Sequence, residues 1–161
     1  MPLWLHPCFH VQYARFRYHS GMTKSHATPR FLLIALIFSM LAAACFLPGL
    51  GGGFIFDDRP NIQENGALHL IELSLDTIAQ AAYSFQPGHG SRPLSMLSFA
   101  LDYWRGGGLN PRVFKITNIA IHALTAYALA VFFRLLLLMA GWSANRAAVA
   151  AIFLAILWAI H

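Results

Sequence analysis

The sequence predicts an all-α polytopic membrane protein with about three transmembrane helices and two helices that lie on the membrane surface. Three observations support this prediction. Of the 161 residues, 58% are hydrophobic and only 11% are charged, whereas soluble domains contain about a quarter charged residues. Three long apolar runs are present. A long loop between the first two runs carries two short amphipathic patterns, which indicate helices that rest on a bilayer without crossing it.

The basic residues are distributed as in membrane proteins. The formal net charge is +5, but these residues are scattered or flank apolar segments, a pattern that favours the lipid bilayer as partner and excludes nucleic acid. Cys8 lies in the N-terminal tail and Cys45 in an apolar run. They therefore form neither a disulfide framework nor a C-x-x-C metal pair.

Residues 1–30 form a basic tail, and residues 1–21 resemble an upstream extension of the reading frame. Residues 31–50 contain no charge and end at a Pro-Gly pair, which predicts the first transmembrane helix. Since basic residues precede this run and the first acidic residue is Asp57, the positive-inside rule keeps the N-terminus in the cytoplasm. In a bacterium the location would be the inner (plasma) membrane. A cleaved signal peptide or a lipoprotein anchored at Cys45 is the alternative for this run.

The long loop, residues 51–112, holds all six acidic residues of the chain and is predicted to be extracytoplasmic. Because an unstructured loop of this length would be unusual, its apolar spacing is informative. Residues 68–85 and 92–104 each repeat apolar residues every three to four positions, which predicts two amphipathic helices. Pro93 suits the first turn of the second helix.

The second predicted transmembrane helix covers residues 113–139, with Lys115 and Arg134 about one bilayer thickness apart. Residues 140–146 form a cytoplasmic turn that contains Arg146. Residues 147–161 are apolar but too few for a full crossing, so they predict an incomplete third span. This run suggests a fragment or a truncated reading frame.

The adjacent carboxylates Asp57 and Asp58 are the first candidates for chemistry. They follow a run of glycines, Gly51 to Gly53, which allows another group to approach the backbone closely. In one interpretation they are solvated loop charges. In the other, two like charges share a divalent metal or act as a general base on a hydroxyl.

Three further polar residues are candidates. Arg92 is either a plain surface residue or a phosphate ligand, a role that suits guanidinium. Asn118 and His122 are four residues apart in the second predicted span and therefore share one helix face. A hydrogen bond that packs two helices together and a direct role in chemistry are both compatible with their position.

Together these residues resemble a known family. The ordered set consists of Phe56-Asp57-Asp58, Ile62, Asn65, Arg92-Pro93-Leu94, Asn110-Pro111, Asn118, His122 and the final LWAIH. In this order, after a first span whose N-terminus is cytoplasmic, the set resembles the N-terminal part of the GT-C superfamily of membrane glycosyltransferases. The resemblance is greatest to the protein O-mannosyltransferase-like branch that carries transmembrane and tetratricopeptide-repeat segments.

The resemblance implies transfer of a sugar, with mannose as the candidate, from a polyprenyl-phosphate carrier to a hydroxyl of a protein or another acceptor. It implies that Asp57 is the base or a metal ligand and that Asp58 supports it. Arg92 would face the carrier phosphate, while Asn118 and His122 match a recurring pattern of the second span without an assigned role. Any divalent metal would be held by the two aspartates.

GT-C enzymes have many more spans, and their donor site is built from several of them. The chain is therefore expected to be a GT-C fragment that is inactive alone. The competing hypothesis is a small non-enzymatic membrane protein whose long loop binds a partner.

Overall fold

The computed structural model describes residues 29–85 and 92–161, and all the regular structure in these ranges is helical. The all-α prediction is therefore confirmed for this part of the chain. The basic tail before Pro29, including residues 1–21, lies outside the described residues. Five α-helices are present: α1, Pro29–Ala44; α2, Leu75–Ala82; α3, Pro93–Gly106; α4, Pro111–Met139; and α5, Ala144–Ala159. Three short turns of helix occur between α1 and α2: Leu47–Gly51, Arg59–Gln63 and Gly66–Leu68.

The predicted first span is not one continuous α-helix. Helix α1 ends at Ala44, and a 3₁₀ turn, Leu47–Gly51, follows it. Pro48 accounts for the break, since it has no backbone N–H and its ring disfavours the α conformation of the residue before it. The proline stands at the start of the 3₁₀ turn, where a missing N–H has no cost.

Helix α4, with 29 residues, is the single helix in the described ranges that is long and apolar enough to cross a membrane unaided. Its observed limits lie close to the predicted ones. Helices α1 and α5 are apolar but have 16 residues each, a length of about 24 Å. Helix α5 begins at Ala144, three residues before the predicted start. That three helices span the membrane thus stays a prediction.

Helices α1, α4 and α5 form a three-helix bundle that is packed through alanine. Ala42 of α1 meets Ala126 of α4 and Ala159 of α5, and Phe31 and Ala35 meet Ala130 further along. This order makes α1 and α5 parallel to each other and antiparallel to α4. Small residues allow helix backbones to approach closely, as membrane helices do. Many of the large apolar side chains of the bundle are exposed, whereas Phe31 is buried.

The long loop has a small core of its own. The first predicted amphipathic helix, residues 68–85, is wrong in its first half, since α2 begins only at Leu75. Ser74 and Thr77 form a capping box that starts the helix there. Leu68 and Leu70 are buried but lie before the helix, and Ile71 is 94% exposed. The buried residues of this loop core are Leu68, Leu70, Ala81, Met96 and Ala100.

Helix α3 agrees with the second amphipathic prediction. Pro93 occupies its first turn, and Gly107, with a φ of 67°, ends it in the left-handed conformation that glycine adopts at low cost. Met96 and Ala100 face the loop core, whereas Leu94, Leu101 and Trp104 are exposed. An exposed apolar face of this kind is what a helix resting on a bilayer requires.

Lys115 connects the start of α4 to the segment that follows α1. Its Nζ donates hydrogen bonds to the carbonyl oxygens of Gly49, at 2.8 Å, and Gly52, at 2.9 Å. A Cβ atom on Gly52 would lie 2.7 Å from this Nζ, so the glycine permits the contact. The close approach expected at the glycine run is therefore made by Lys115.

Replacing Leu68 with alanine should loosen the loop core. The substitution removes a fully buried side chain, and we expect it to lower the local free energy of unfolding by about 3 kcal/mol. Hydrogen–deuterium exchange of peptides from residues 75–85 and 93–103, in detergent micelles, measures the change. The matched control is Leu94→Ala, because Leu94 is 84% exposed; this variant should stay within about 0.5 kcal/mol. Equal loss of protection in both variants would show that the loop core does not hold these helices.

Candidate functional site

The acidic pair, Asp57 and Asp58, lies in the same cavity as Arg92. The cavity has a volume of about 120 Å³. The two aspartates come from the segment after α1, and Arg92 stands at the start of α3, so tertiary structure brings together residues that are distant in sequence. The other lining residues are Asn61, Ile62, Phe85, Ser95, Met96 and Phe99.

The backbone around the acidic pair forms a tight turn. Phe56 has a φ of +47° and is 89% exposed, a conformation that is strained for an aromatic residue. The Ile55 N–H donates to Oδ2 of Asp58 at 3.0 Å, which orients this carboxylate. Asp57 is exposed, whereas Asp58 is partly buried. The two carboxylates therefore differ: one is held by the backbone, and the other is presented to solvent.

Asn61 is a site residue that sequence reasoning missed. It lies in a single π-helical turn, closed by the Glu64 N–H donating to the carbonyl of Arg59 at 2.9 Å; π turns occur frequently at functional sites. Its Nδ2 donates to the carbonyl of Asp57 at 2.9 Å. Its Oδ1 is buried and has no hydrogen-bond partner among the described residues. The spacing Asp-Asp-x-x-Asn was the signal that could have identified it.

The donor set of the cavity suits a hard divalent cation. Two carboxylates and one amide oxygen, from Asp57, Asp58 and Asn61, are the oxygen ligands that Mg²⁺, Mn²⁺ and Ca²⁺ prefer. The unpartnered Oδ1 of Asn61 would gain a partner from such an ion. Within residues 29–85 and 92–161, no group of three or more His, Cys, Asp or Glu side chains could hold a metal. A metal here would therefore complete its shell with water or substrate oxygens.

Arg92 is the basic side chain of the cavity. Its guanidinium carbon lies 4.8 Å from the centroid of the Phe85 ring, a cation–π contact that orients the side chain. In the described part of the chain, the two ion pairs are Arg59–Glu64 and Arg105–Asp102. Arg92 is thus not neutralised by a carboxylate of these ranges, which keeps its N–H groups available to an anion.

The structure does not place His122 with the acidic pair. Its Nε2 lies 2.8 Å from the carbonyl oxygen of Ala159, and its ring stacks on Trp158 and meets the edge of Phe46. His122 thus connects α4 to α5 and to the segment after α1. This is the kind of contact that packs two helices together.

Asn118 lies one turn before His122 on α4 and faces α3. It borders a second cavity of about 280 Å³, opposite Ser95 and Ser98. Ser95 and Phe99 line this cavity and the acidic one. The side chains of Ser95 and Phe99 therefore separate Asn118 from the acidic pair.

A polar network that sequence reasoning missed fixes α3 against α4. Asp102 is 3% exposed, and its Oδ1 accepts from Nη2 of Arg105 and from the hydroxyl of Thr117, each at 2.6 Å. The bond to Thr117 crosses from α3 to α4. The presence of Arg three residues after Asp on a predicted helix was compatible with such a pair but indicated an exposed one.

The chain is similar in sequence to animal proteins named protein O-mannosyl-transferases. It is 32% identical to human TMTC4 over 93 residues, which are 55% of this chain and 13% of the relative. It is 36% identical to Tmtc2 of Drosophila melanogaster over 113 residues, 64% of this chain and 11% of the relative. With Tmtc1 of the same fly the identity is 34% over 104 residues, 62% of this chain and 12% of the relative.

The predicted relationship to O-mannosyltransferase-like proteins is thereby confirmed. The chain spans only 11–13% of the length of these curated relatives. No family model matches the chain, and no solved structure does.

Neutralising Asp102 should weaken the contact between α3 and α4. In Asp102→Asn the hydrogen bonds from Thr117 and Arg105 lose their buried carboxylate, while Arg105, whose side chain is 53% exposed, stays hydrated. We expect the free energy of unfolding to fall by about 2 kcal/mol. The change in the free energy of unfolding is measured by thermal unfolding of the purified protein in detergent, together with the m-value from a denaturant titration. Glu64→Gln makes the same chemical change in the exposed Arg59–Glu64 pair and should cost no more than about 0.5 kcal/mol. Similar losses in both variants would contradict the assignment of Asp102 as the inter-helix anchor.

Proposed function

We propose that the chain carries the acidic site of a membrane glycosyltransferase. At this site a sugar, with mannose as the candidate, leaves a polyprenyl-phosphate carrier and joins a hydroxyl group of a protein acceptor. The observation that carries the proposal is the cavity shared by Asp57, Asp58 and Arg92. The relatives named protein O-mannosyl-transferases supply the reaction class.

The roles follow from the two carboxylates' different surroundings. Asp57, which is exposed, takes the proton of the acceptor hydroxyl. The acceptor oxygen then bonds to the anomeric carbon of the sugar, while the bond from that carbon to the phosphate oxygen breaks and polyprenyl phosphate leaves. Asp58, held by the Ile55 N–H, keeps the turn in place so that Asp57 stays positioned.

Arg92 would bind the carrier phosphate. A guanidinium donates paired hydrogen bonds to phosphate oxygens and offsets the negative charge that grows on the leaving group. Its contact with the Phe85 ring limits the motion of the side chain. A divalent metal, where bound, would be held by Asp57, Asp58 and Asn61 and would stabilise the phosphate charge as a Lewis acid.

The arrangement of helices is compatible with a site at a membrane surface. The acidic pair follows α1 and the adjoining 3₁₀ turn, which together measure about 34 Å along their axes, close to the thickness of a bilayer core. Ile55, Phe56 and Leu94, which are close in sequence to residues that line the cavity, are exposed and would enter the lipid interface. A carrier with a polyprenyl tail would approach the site from that interface.

The proposal requires the long loop to be extracytoplasmic. In a background with Cys8→Ser and Cys45→Ser, Gly66→Cys should react with a membrane-impermeant maleimide applied to intact cells. Gly66 suits this test, because an added Cβ meets no atom within 4 Å. Ala140→Cys, in the exposed turn between α4 and α5, should react only after permeabilisation. The opposite labelling pattern would overturn the proposed function.

Donor binding tests the roles of Arg92 and the acidic pair. The purified chain in nanodiscs would be titrated with a short-chain polyprenyl-phosphate mannose, with and without Mn²⁺. Arg92→Met should weaken binding roughly ten-fold, since one charge-assisted contact to phosphate is lost. Mn²⁺ should strengthen binding to the wild type but not to the double variant Asp57→Asn/Asp58→Asn.

Matched controls are available on the same surface. Arg112→Met, at the exposed start of α4, and Glu72→Gln, in the long loop but outside the cavity, should bind the donor as the wild type does. Wild-type binding that neither Arg92→Met nor the aspartate double variant changes would overturn the proposed roles, and the chain would then be better described as a membrane protein whose long loop binds a protein partner.

A further inference from the structure

Arg134 is a buried cation that the proposed function does not use. It lies near the end of α4, is 4% exposed, and has its guanidinium carbon 4.6 Å from the centroid of the Phe31 ring. Its Nε and Nη1 are buried and have no hydrogen-bond partner among the described residues. A guanidinium removed from water without an anion is costly, so the position calls for a negatively charged partner.

The chain itself has no carboxylate that could serve. All six acidic residues lie between Asp57 and Asp102, toward the opposite end of the bundle. Asp102 meets α4 at Thr117, and the helical rise from Thr117 to Arg134 is about 26 Å. Residues 1–28, outside the described part of the chain, contain no Asp or Glu. None of the six acidic residues of the sequence is therefore a partner for Arg134.

The end of the bundle around Arg134 attracts anions. Helices α1 and α5 both begin there, so their unsatisfied N–H groups and positive dipole ends lie at the same level. Arg30 and Arg146 occupy the first turns of these two helices and are exposed. Three guanidinium groups thus occupy one end of a bundle that has no acidic residue near it.

An apolar groove begins at this end and runs between α1 and α5. Its volume is about 910 Å³, within the range of roughly 300–1,000 Å³ that small-molecule sites occupy. Arg30 and Asn145 are its polar residues. Phe31, whose ring contacts the Arg134 guanidinium, is part of its wall. The remaining wall is almost entirely hydrocarbon: Ile34, Phe38, Ala148, Val149, Ile152, Phe153 and Ile156.

We infer that this groove is a binding site for an anionic phospholipid of the leaflet in which α1 and α5 begin. The phosphate lies at the mouth of the groove beside Arg30 and Asn145, with the buried Arg134 guanidinium behind Phe31, and an acyl chain lies along the groove between the two helices. An amphiphile fits both halves of the site, because the mouth is cationic and the body is hydrocarbon. The inference requires that the bundle lies in a bilayer, but it is independent of the acidic site and of sugar transfer.

Lipid retention tests the inference. The purified chain would be equilibrated with mixed micelles of phosphatidylcholine and phosphatidylglycerol, and retained lipid would be identified by native mass spectrometry. The wild type should retain phosphatidylglycerol selectively and gain thermal stability from it. Arg134→Met, which keeps the volume but removes the charge, should retain roughly ten-fold less. Arg112→Met, at the other end of α4, should match the wild type.

A second variant keeps the inference falsifiable should Arg134→Met fail to fold. Val149→Trp narrows the groove without touching Arg134, since Val149 lines it from α5 and is exposed; it should lower retention of phosphatidylglycerol while leaving the fold intact. Equal retention by the wild type and both variants would overturn the inference. So would equal stabilisation by inorganic phosphate, or no retention by the wild type.

Discussion

The close approach of α1, α4 and α5 through alanine is the constraint on which the rest of the structure depends. Ala126 and Ala130 of α4 meet alanines of both neighbours, and such contacts bury little side-chain surface. Their stability in a bilayer would come from backbone proximity and dispersion, because lipid is as apolar as the side chains themselves. This packing leaves many of the large apolar residues outside, and it fixes the first turns of α4 beside the end of α1.

The first turns of α4 position both segments that form the acidic cavity: the segment after α1 and helix α3. Lys115 holds the carbonyl groups of Gly49 and Gly52, which sets where the segment leading to Asp57 leaves α1. Thr117 holds Asp102, which sets the rotation of α3 and hence which of its residues face the cavity. Phe114 contacts both Phe54 and Phe99. One stretch of α4 therefore positions both halves of a site to which it contributes no lining residue.

A local signal predicted the start of α3, and tertiary packing decided other boundaries. Pro93 marks the start of α3, since proline is favoured in a first helical turn. Pro111 begins α4 in the same way, two residues before the predicted start of the second span. Helix α2 was predicted too long because Leu68 and Ile71 continue its apolar spacing, yet Leu68 is buried from a 3₁₀ turn outside the helix and Ile71 is exposed. Apolar periodicity predicts which residues can share a helix face, but it does not predict that the Ser74 cap starts α2.

The candidate site could be predicted as a set of residue types, but not as a cavity. Asp57, Asp58 and Arg92 were identified because carboxylate and guanidinium groups suit metal, proton and phosphate chemistry. Their common cavity depends on Met96 and Ile62, whose contacts no local pattern specifies. Asn61 was not predicted, because an amide side chain in a loop is common. Its distinguishing feature, a buried oxygen without a hydrogen-bond partner among the described residues, is visible only in the structure.

The two ends of the molecule differ in the charge that they present to an anionic lipid. The end with Arg30, Arg134 and Arg146 has no acidic residue near it, so a phosphate is attracted there without assistance. At the other end a phosphate meets two carboxylates, and one guanidinium offsets only part of that charge. A divalent cation shared by Asp57 and Asp58 would reverse the sign of the local field and turn the pair from a barrier into a phosphate-binding surface. On this argument the acidic pair suits a sugar phosphate only when a cation accompanies it, and selectivity for a charged donor over free anionic lipid would then depend on that cation.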